Sequence, residues 1–199
     1  AEKQGSGGTV TTKTEKRWAR LNRRKEQNHM GVKLVEYCTE GPVAIMTIDN
    51  PPMNPMTNDV WEQFEQILDK KKKKKDEIRV LILTGKGKAF IAGADIKSFP
   101  ELTPESARAR LKIAKSRYIK LEQFDTPVIC AINGYCLGAG LEIAMCCDIR
   151  IASSNAKLGQ PEINVGLIPG GGGTQRLPRL VGPSISREII YTGKLISAN

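Results

Sequence analysis

Two short runs limit the fold more than anything else in the chain. Residues 78–85 (IRVLILTG) and 127–132 (PVICAI) are apolar on both alternating faces over most of their length. A strand repeats every two residues, so such a run must be covered on both sides, which places it inside a sheet flanked by other layers. Residues 42–49 (PVAIMTID) form another strand, bounded by Gly41 and the turn-forming NPPMNPM. Residues 148–153 (DIRIAS) are expected to be a fourth buried strand. Helical spacing fills the intervals. In residues 57–69, Thr57 or Asn58 serves as N-cap, with Val60, Phe64, Ile67 and Leu68 on one face. Residues 103–124 open with Thr103 at the cap and Pro104 at the first helical position, and form the longest helix. Residues 184–193 (SISREIIYTG) read as a helix ended by Gly193. Strands alternating with helices at this spacing imply βα repetition, mostly parallel pairing and an α/β fold.

The chain of 199 residues is long enough for one domain with a substantial core, and it has no apolar run of transmembrane length. Its net charge of +10 is concentrated in two places. Residues 1–29 contribute +5 and Lys70–Lys75 contribute +6, leaving the remainder at −1. The segment 1–29 lacks the apolar stretch of a secretory signal, and His29–Met30 looks like a cloning junction with Met30 as the native start. It is expected to be a basic, disordered or vector-derived leader to a domain spanning 30–199. The lysine run follows a helix, where cations complement the helix dipole, and it lacks the interleaved aromatics that base recognition would want. Cys38, Cys130, Cys136, Cys146 and Cys147 show neither zinc-ligand nor redox-motif spacing, which points to a reducing compartment without a disulfide framework.

Residues 134–148 (GYCLGAGLEIAMCCD) pose a chemical question. From Leu137 to Cys147 the segment is apolar apart from Glu142, and nothing basic lies nearby in sequence. An unpaired buried carboxylate is costly. If the helix begins near Ala139, the Ala139 N–H is one of the unsatisfied donors at the positive helix end, and Glu142 lies on the same face three residues on. An oxygen gaining negative charge is favoured there. Glu162 is a second carboxylate twenty residues later, and two acids facing one pocket can divide protonated and ionised roles. The glycine-rich PGGGGTQR (169–176) lacks the Gly-Lys-Ser/Thr ending of a phosphate loop, and GYCLGAG spaces its glycines wrongly for a dinucleotide fingerprint. AFIAGADIKSF (89–99) lies in a loop between strand and helix.

Together, AGADIKSF, NGYCLGAGLEIAMCCDIRIASSNAKLGQPEI and GLIPGGGGTQRLPRLVG resemble the enoyl-CoA hydratase (crotonase) family, in family order and spacing, from about Val32 onward. The resemblance implies a ClpP/crotonase-type spiral of ββα repeats that binds a coenzyme A thioester and stabilises its enolate with two backbone N–H groups. By motif these belong to Ala94 and Ala139. It implies Glu142 and Glu162 as the catalytic pair of a hydratase, with Glu142 orienting and deprotonating water and protonated Glu162 delivering a proton to the α-carbon. Met53, Asn54, Ala92, Asp95, Ile96, Lys97 and Gly138 are implied as substrate or coenzyme A contacts. Coenzyme A enters only as part of the substrate, and neither a metal nor a permanently bound cofactor is implied. Family members form trimers, often paired into hexamers, and continue past YTGKLISA into helices that cover the acyl pocket; this chain is expected to lack them.

Three alternatives stay open at the level of sequence. One is another crotonase-type reaction, such as isomerisation or a specialised dehydration. Another is RNA binding through Lys70–Lys75, since one family member binds AU-rich RNA through a lysine-bearing helix. The third is a non-catalytic fragment that binds coenzyme A. A bacterial or archaeal cytoplasm or a mitochondrial matrix fits the composition, and no membrane partner is expected.

Overall fold

The computed structural model describes residues 32–72 and 78–199. The expectations for residues 1–29, and for the lysine run beyond Lys72, lie outside them. The first two strands, β1 (Val35–Glu40) and β2 (Val43–Ile48), form an antiparallel hairpin with Glu40 opposite Val43. Helix α1 (Asn58–Lys72) follows, burying Val60, Phe64 and Leu68, three of the four apolar positions read from the periodicity. Strand β3 (Val80–Gly85) then pairs parallel to β2, and β5 (Val128–Ile132) pairs parallel to β3. The two doubly apolar runs are therefore neighbours at the centre of a five-stranded sheet, ordered β1-β2-β3-β5-β7, the last strand being Ile149–Ala152.

Helix α2 (Pro104–Glu122) has the predicted start: the Thr103 side chain accepts from the Ser106 N–H, and the Ser106 side chain reciprocates to the Thr103 N–H. Helix α3 (Ala139–Cys146) begins at Ala139, and α5 (Pro183–Thr192) is closed by Gly193 with φ of +64°. Between them lies α4 (Gly173–Val181), which no helix signal announces. Its N-cap, Gly172, makes no side-chain cap bond, and Pro178 sits inside it.

A second sheet is built from three-residue strands that periodicity cannot register: β4 (Ala89–Ile91), β6 (Tyr135–Leu137), β8 (Lys157–Gly159) and β9 (Leu195–Ser197). Its order is β4-β6-β8-β9, parallel except for the last pair. The segment 89–99, read as a loop, thus holds β4 and a 3-10 helix over Ile96–Glu101.

One expectation is overturned. Strand β7 (Ile149–Ala152) exists, but it is not buried: it is the edge of the first sheet, with Ile151 61% exposed. Among the described residues it pairs only with β5, and all four of its residues are exposed.

Asn54 ties the loop after β2 to both sheets. It is 1% exposed, and its amide nitrogen donates to the carbonyls of Lys86, Ala89 and Phe90 at 3.0, 2.8 and 3.2 Å. Its Oδ1 accepts from the Asn50 N–H at 2.9 Å. Asn54 has φ of +54°, which glycine tolerates, so Asn54→Gly isolates the side-chain bonds. That change is expected to cost roughly 2 kcal/mol by stranding buried polar groups, read as a lower urea midpoint with an unchanged m-value.

Candidate functional site

The parallel pairing of β4 with β6 places the site. Ile91 lies opposite Cys136, so the segments that leave the two strands, 92–95 and 138–139, emerge side by side. The first is fixed by two backbone bonds to the preceding loop: Ala92 N–H donates to Met53 at 3.0 Å, and Met56 N–H donates to Gly93 at 3.0 Å. Met56 and Ala94 form an isolated parallel bridge. The second segment turns at Gly138, where φ of +52° disfavours any residue with a Cβ. Ala139 is then the first residue of α3, and its cap residue supplies no side-chain bond. Its N–H belongs to the helical turn whose donors have no intrahelical partner, at the positive end of the helix dipole.

Glu142 stands one turn further on and is 3% exposed. Its Oε1 accepts from the N–H groups of Gly171 and Gly173 at 2.7 and 2.8 Å. Tyr118 of α2 donates its hydroxyl to Oε2 at 3.4 Å. Burial pushes the Glu142 carboxyl above its ordinary range, while the Gly173 and Gly171 N–H groups, Tyr118 and the Arg176 charge pull it back. The glycine stretch that failed as a phosphate loop thus aims its N–H groups at a carboxylate of its own chain. It is braced from behind: Arg176 donates to the Gly171 carbonyl at 2.9 Å and forms a two-pronged pair with Glu122 at 3.0 and 2.7 Å.

Glu162 is half-buried in a 3-10 turn over Pro161–Val165. A Cβ on Gly138 would lie 3.3 Å from Glu162 Oε1 and 3.8 Å from the Gly93 Cα, so this carboxyl borders both emerging segments. Burial pushes it up to about 7, its own N–H opposing and the neighbouring Glu142 charge adding to the rise. Gln160, fully buried, brings the end of its side-chain amide within 2.7 and 3.0 Å of the two Glu162 oxygens, and since an ionised carboxylate only accepts, the amide is assigned with its nitrogen on that side.

The structure therefore brings Ala92, Ala94, Gly138, Ala139, Glu142 and Glu162 to one place. Asp95 caps the 3-10 helix by accepting from Lys97 N–H at 3.3 Å, and Arg110 donates to the Asp95 carbonyl at 3.4 Å while its guanidinium lies 4.8 Å from the Phe99 ring centre. Ile96 and Lys97 follow, both exposed. Asn54 is different: its side chain is consumed within the protein and offers a ligand almost no surface. Sequence reasoning missed Tyr118, Gln160, Arg176 and the Gly171 and Gly173 donors. A signal existed for one of them, since Tyr118 is the single aromatic residue in the 19 residues of α2; the structure shows it and Leu121 as the two that are buried. Among the described residues, no three His, Cys, Asp or Glu side chains are grouped to hold a metal ion.

Gly171 carries a close approach that no other residue permits. A Cβ there would lie 2.4 Å from the Tyr118 ring and 2.5 Å from Glu142 Oε2. At Gly170 it would meet the end of the flexible Leu111 side chain at 3.1 Å. Gly171→Ala is expected to cost about 1–3 kcal/mol through overpacking, and Gly170→Ala clearly less, when the two urea midpoints are compared.

Residues 38–199 match the family model described as enoyl-CoA hydratase/isomerase. The chain is 43% identical over 162 residues to the short-chain-enoyl-CoA hydratase of Clostridium acetobutylicum, an alignment covering 80% of this chain and 62% of that protein. It is 43% identical over 164 residues to the crotonyl-CoA hydratase of Syntrophomonas wolfei, again covering 80% and 62%. Among solved structures, the enoyl-CoA hydratase of Bacillus anthracis superposes with a TM-score of 0.78 at 38% identity, over 83% of this chain and 65% of that one. The enoyl-CoA hydratase of Thermoplasma volcanium superposes with a TM-score of 0.79 at 34% identity, over 85% and 68%. The chain thus spans a little under two thirds of the length of these curated relatives. With the motifs, the two-sheet fold and these likenesses in agreement, the chain belongs to the enoyl-CoA hydratase/isomerase (crotonase) family.

Proposed function

We propose that the protein is an enoyl-CoA hydratase, adding water reversibly to a trans-2-enoyl-CoA to give a 3-hydroxyacyl-CoA. The observation that carries this reading is the convergence of two carboxyls withdrawn from water, Glu142 and Glu162, on the backbone at Gly138–Ala139. An isomerisation or hydrolysis needs at most one of them. The printed activities of the Clostridium and Syntrophomonas relatives favour a short acyl chain.

In this reading the thioester oxygen lies against the N–H groups of Ala94 and Ala139, which stabilise the negative charge that develops as the double bond is attacked. Ionised Glu142 orients the water and takes its proton while the water oxygen bonds to C3. Protonated Glu162 gives its proton to C2, collapsing the enolate. One proton leaves Glu162 and one reaches Glu142, so exchange with solvent resets the pair; dehydration runs the same steps backwards with the roles exchanged. Met53, Ala92, Asp95, Ile96, Lys97 and Gly138 would lie along the coenzyme A thioester, the exposed Lys97 ammonium suiting a phosphate. No permanently bound cofactor is needed, because the thioester itself supplies the electron sink. Exposed apolar side chains such as Ile149, Ile151 and Ile168 suit burial in the homotrimer or hexamer of the family. The bacterial sources of the relatives favour a cytoplasmic setting.

Crotonyl-CoA hydration, followed as loss of enoyl-thioester absorbance, tests the reading. Glu142→Gln and Glu162→Gln are each expected to lower turnover by ~10²–10⁴-fold, the usual contribution of a positioned acid or base. Absence of turnover in the parent, or full activity in either variant, would contradict it.

The pH dependence follows from the two roles. Hydration requires Glu162 protonated, so kcat/KM is expected to decline as pH rises through about 7. It also requires Glu142 ionised, so kcat/KM declines again on the acid side. A pH profile whose basic limb persisted in residual Glu162→Gln activity would assign that limb to another group.

A further inference from the structure

The two oxygens of Glu142 are held unequally. Oε1 takes both backbone donors, from Gly171 and Gly173. Oε2 is met by the Tyr118 hydroxyl, at 3.4 Å. That hydroxyl is set on a rigid base. Tyr118 is 4% exposed, and its ring packs edge-on against Trp61 with centroids 5.3 Å apart. Trp61 in turn packs edge-on against Phe64 at 5.7 Å and lies beneath the Arg117 guanidinium at 5.5 Å. Glycine at 171 is what lets the ring and the carboxylate meet, since a Cβ there would strike both. Among the described residues, Glu142 is the hydrogen-bond partner of this phenol.

From these contacts we propose that Tyr118 is a positioning residue for Glu142, its hydroxyl fixing Oε2 and favouring the ionised carboxylate that accepts a proton from water. The inference rests on the hydratase reading and deepens it. An ionised carboxylate has only acceptors, so the phenol donates to it. Two N–H donors face Oε1, so a proton arriving on Glu142 must settle on Oε2, the oxygen that Tyr118 addresses. At 3.4 Å the bond is longer than the optimum near 2.7–2.8 Å for O–H···O, which leaves room for it to tighten as water docks. Four titratable groups surround the carboxylate: Tyr118 from α2, Arg176 from α4, Glu162 from the 3-10 turn, and Cys146 on α3 itself. Arg176 is already paired with Glu122 and committed to the Gly171 carbonyl. Glu162 disfavours a second negative charge, and the buried Cys146 thiol, pushed up to about 12, stays neutral. Tyr118 is the uncharged donor that acts on the reacting oxygen directly.

Tyr118→Phe removes the hydroxyl and keeps the ring against Trp61. In this variant the acid limb of the kcat/KM profile is expected to move up by about one pH unit. The ¹³C NMR midpoint of the Glu142 carboxyl, assigned by its loss in Glu142→Gln, should move with it, while KM stays within twofold. Site-specific 3-fluorotyrosine at position 118, a more acidic phenol and so a stronger donor, should move both in the opposite direction. A structural role alone would not produce opposite signs. Unchanged midpoints in both variants, or shifts of the same sign, would overturn the proposal. If the parent does not hydrate crotonyl-CoA, the hydratase reading fails, and the NMR midpoints still decide whether Tyr118 governs the Glu142 proton.

Discussion

A carboxylate inside an apolar helix is the constraint on which the rest of the site depends. Burying an ionised group costs several kcal/mol after relaxation, and among the described residues no cation pairs directly with Glu142 to offset it. Two peptide N–H groups from Gly171 and Gly173 do so instead, at 2.7 and 2.8 Å. That solution requires the backbone at 171–173 to lie directly on α3, which in turn requires glycine at 171 and 173, where a Cβ would come within 2.5 and 3.1 Å of the Glu142 carboxylate. Arg176 and Glu122 then anchor the same backbone to α2, while Tyr118 from α2 reaches the other oxygen. Three helices and one loop therefore meet at this carboxylate and at the Arg176–Glu122 pair behind it. A change at any of them moves the carboxylate.

The sheet supplies the second half of the arrangement. Parallel strands deliver their carboxyl ends to the same edge, and in the small sheet β4 and β6 do this as direct neighbours. The segments carrying Ala94 and Ala139 are close because their strands are paired, with no long-range side-chain contact needed to gather them. Glu162 arrives by the same logic, since β8 pairs with β6 and runs straight into the turn that bears it. Both proposed acid–base groups thus stand on elements rigidly tied to the proposed oxyanion donors, which is what geometry-sensitive catalysis demands.

Much of this was legible from residue pattern where local physics is strong. Thr103–Pro104 marks the start of α2 because a cap and a proline need only near neighbours. The doubly apolar runs of β3 and β5 declare a central position in the sheet, although only alternate residues are fully buried and the other face of each is half-buried. Glu142 stood out as a charge without a reason. The elements that escaped are those whose stability is borrowed from elsewhere. The three-residue strands of the second sheet show no periodicity, and α4 begins among glycines and contains Pro178. The N–H donors at Gly171 and Gly173 are backbone groups, identical in every residue but proline, so no side-chain chemistry advertises them. Strand β7 failed in the other direction: its apolar positions suggested burial, yet only tertiary context decides whether an edge is covered.

The central claim is that two carboxyls act together to place a hydroxyl on C3 and a proton on C2. Incubating the protein with crotonyl-CoA in deuterated water and locating the label by NMR tests it most directly. Hydration is expected to give 3-hydroxybutyryl-CoA with deuterium at C2 and an oxygen substituent at C3. Recovery of 3-butenoyl-CoA, with deuterium at C2 and no hydroxyl at C3, would mean that the site moves a double bond instead of adding water.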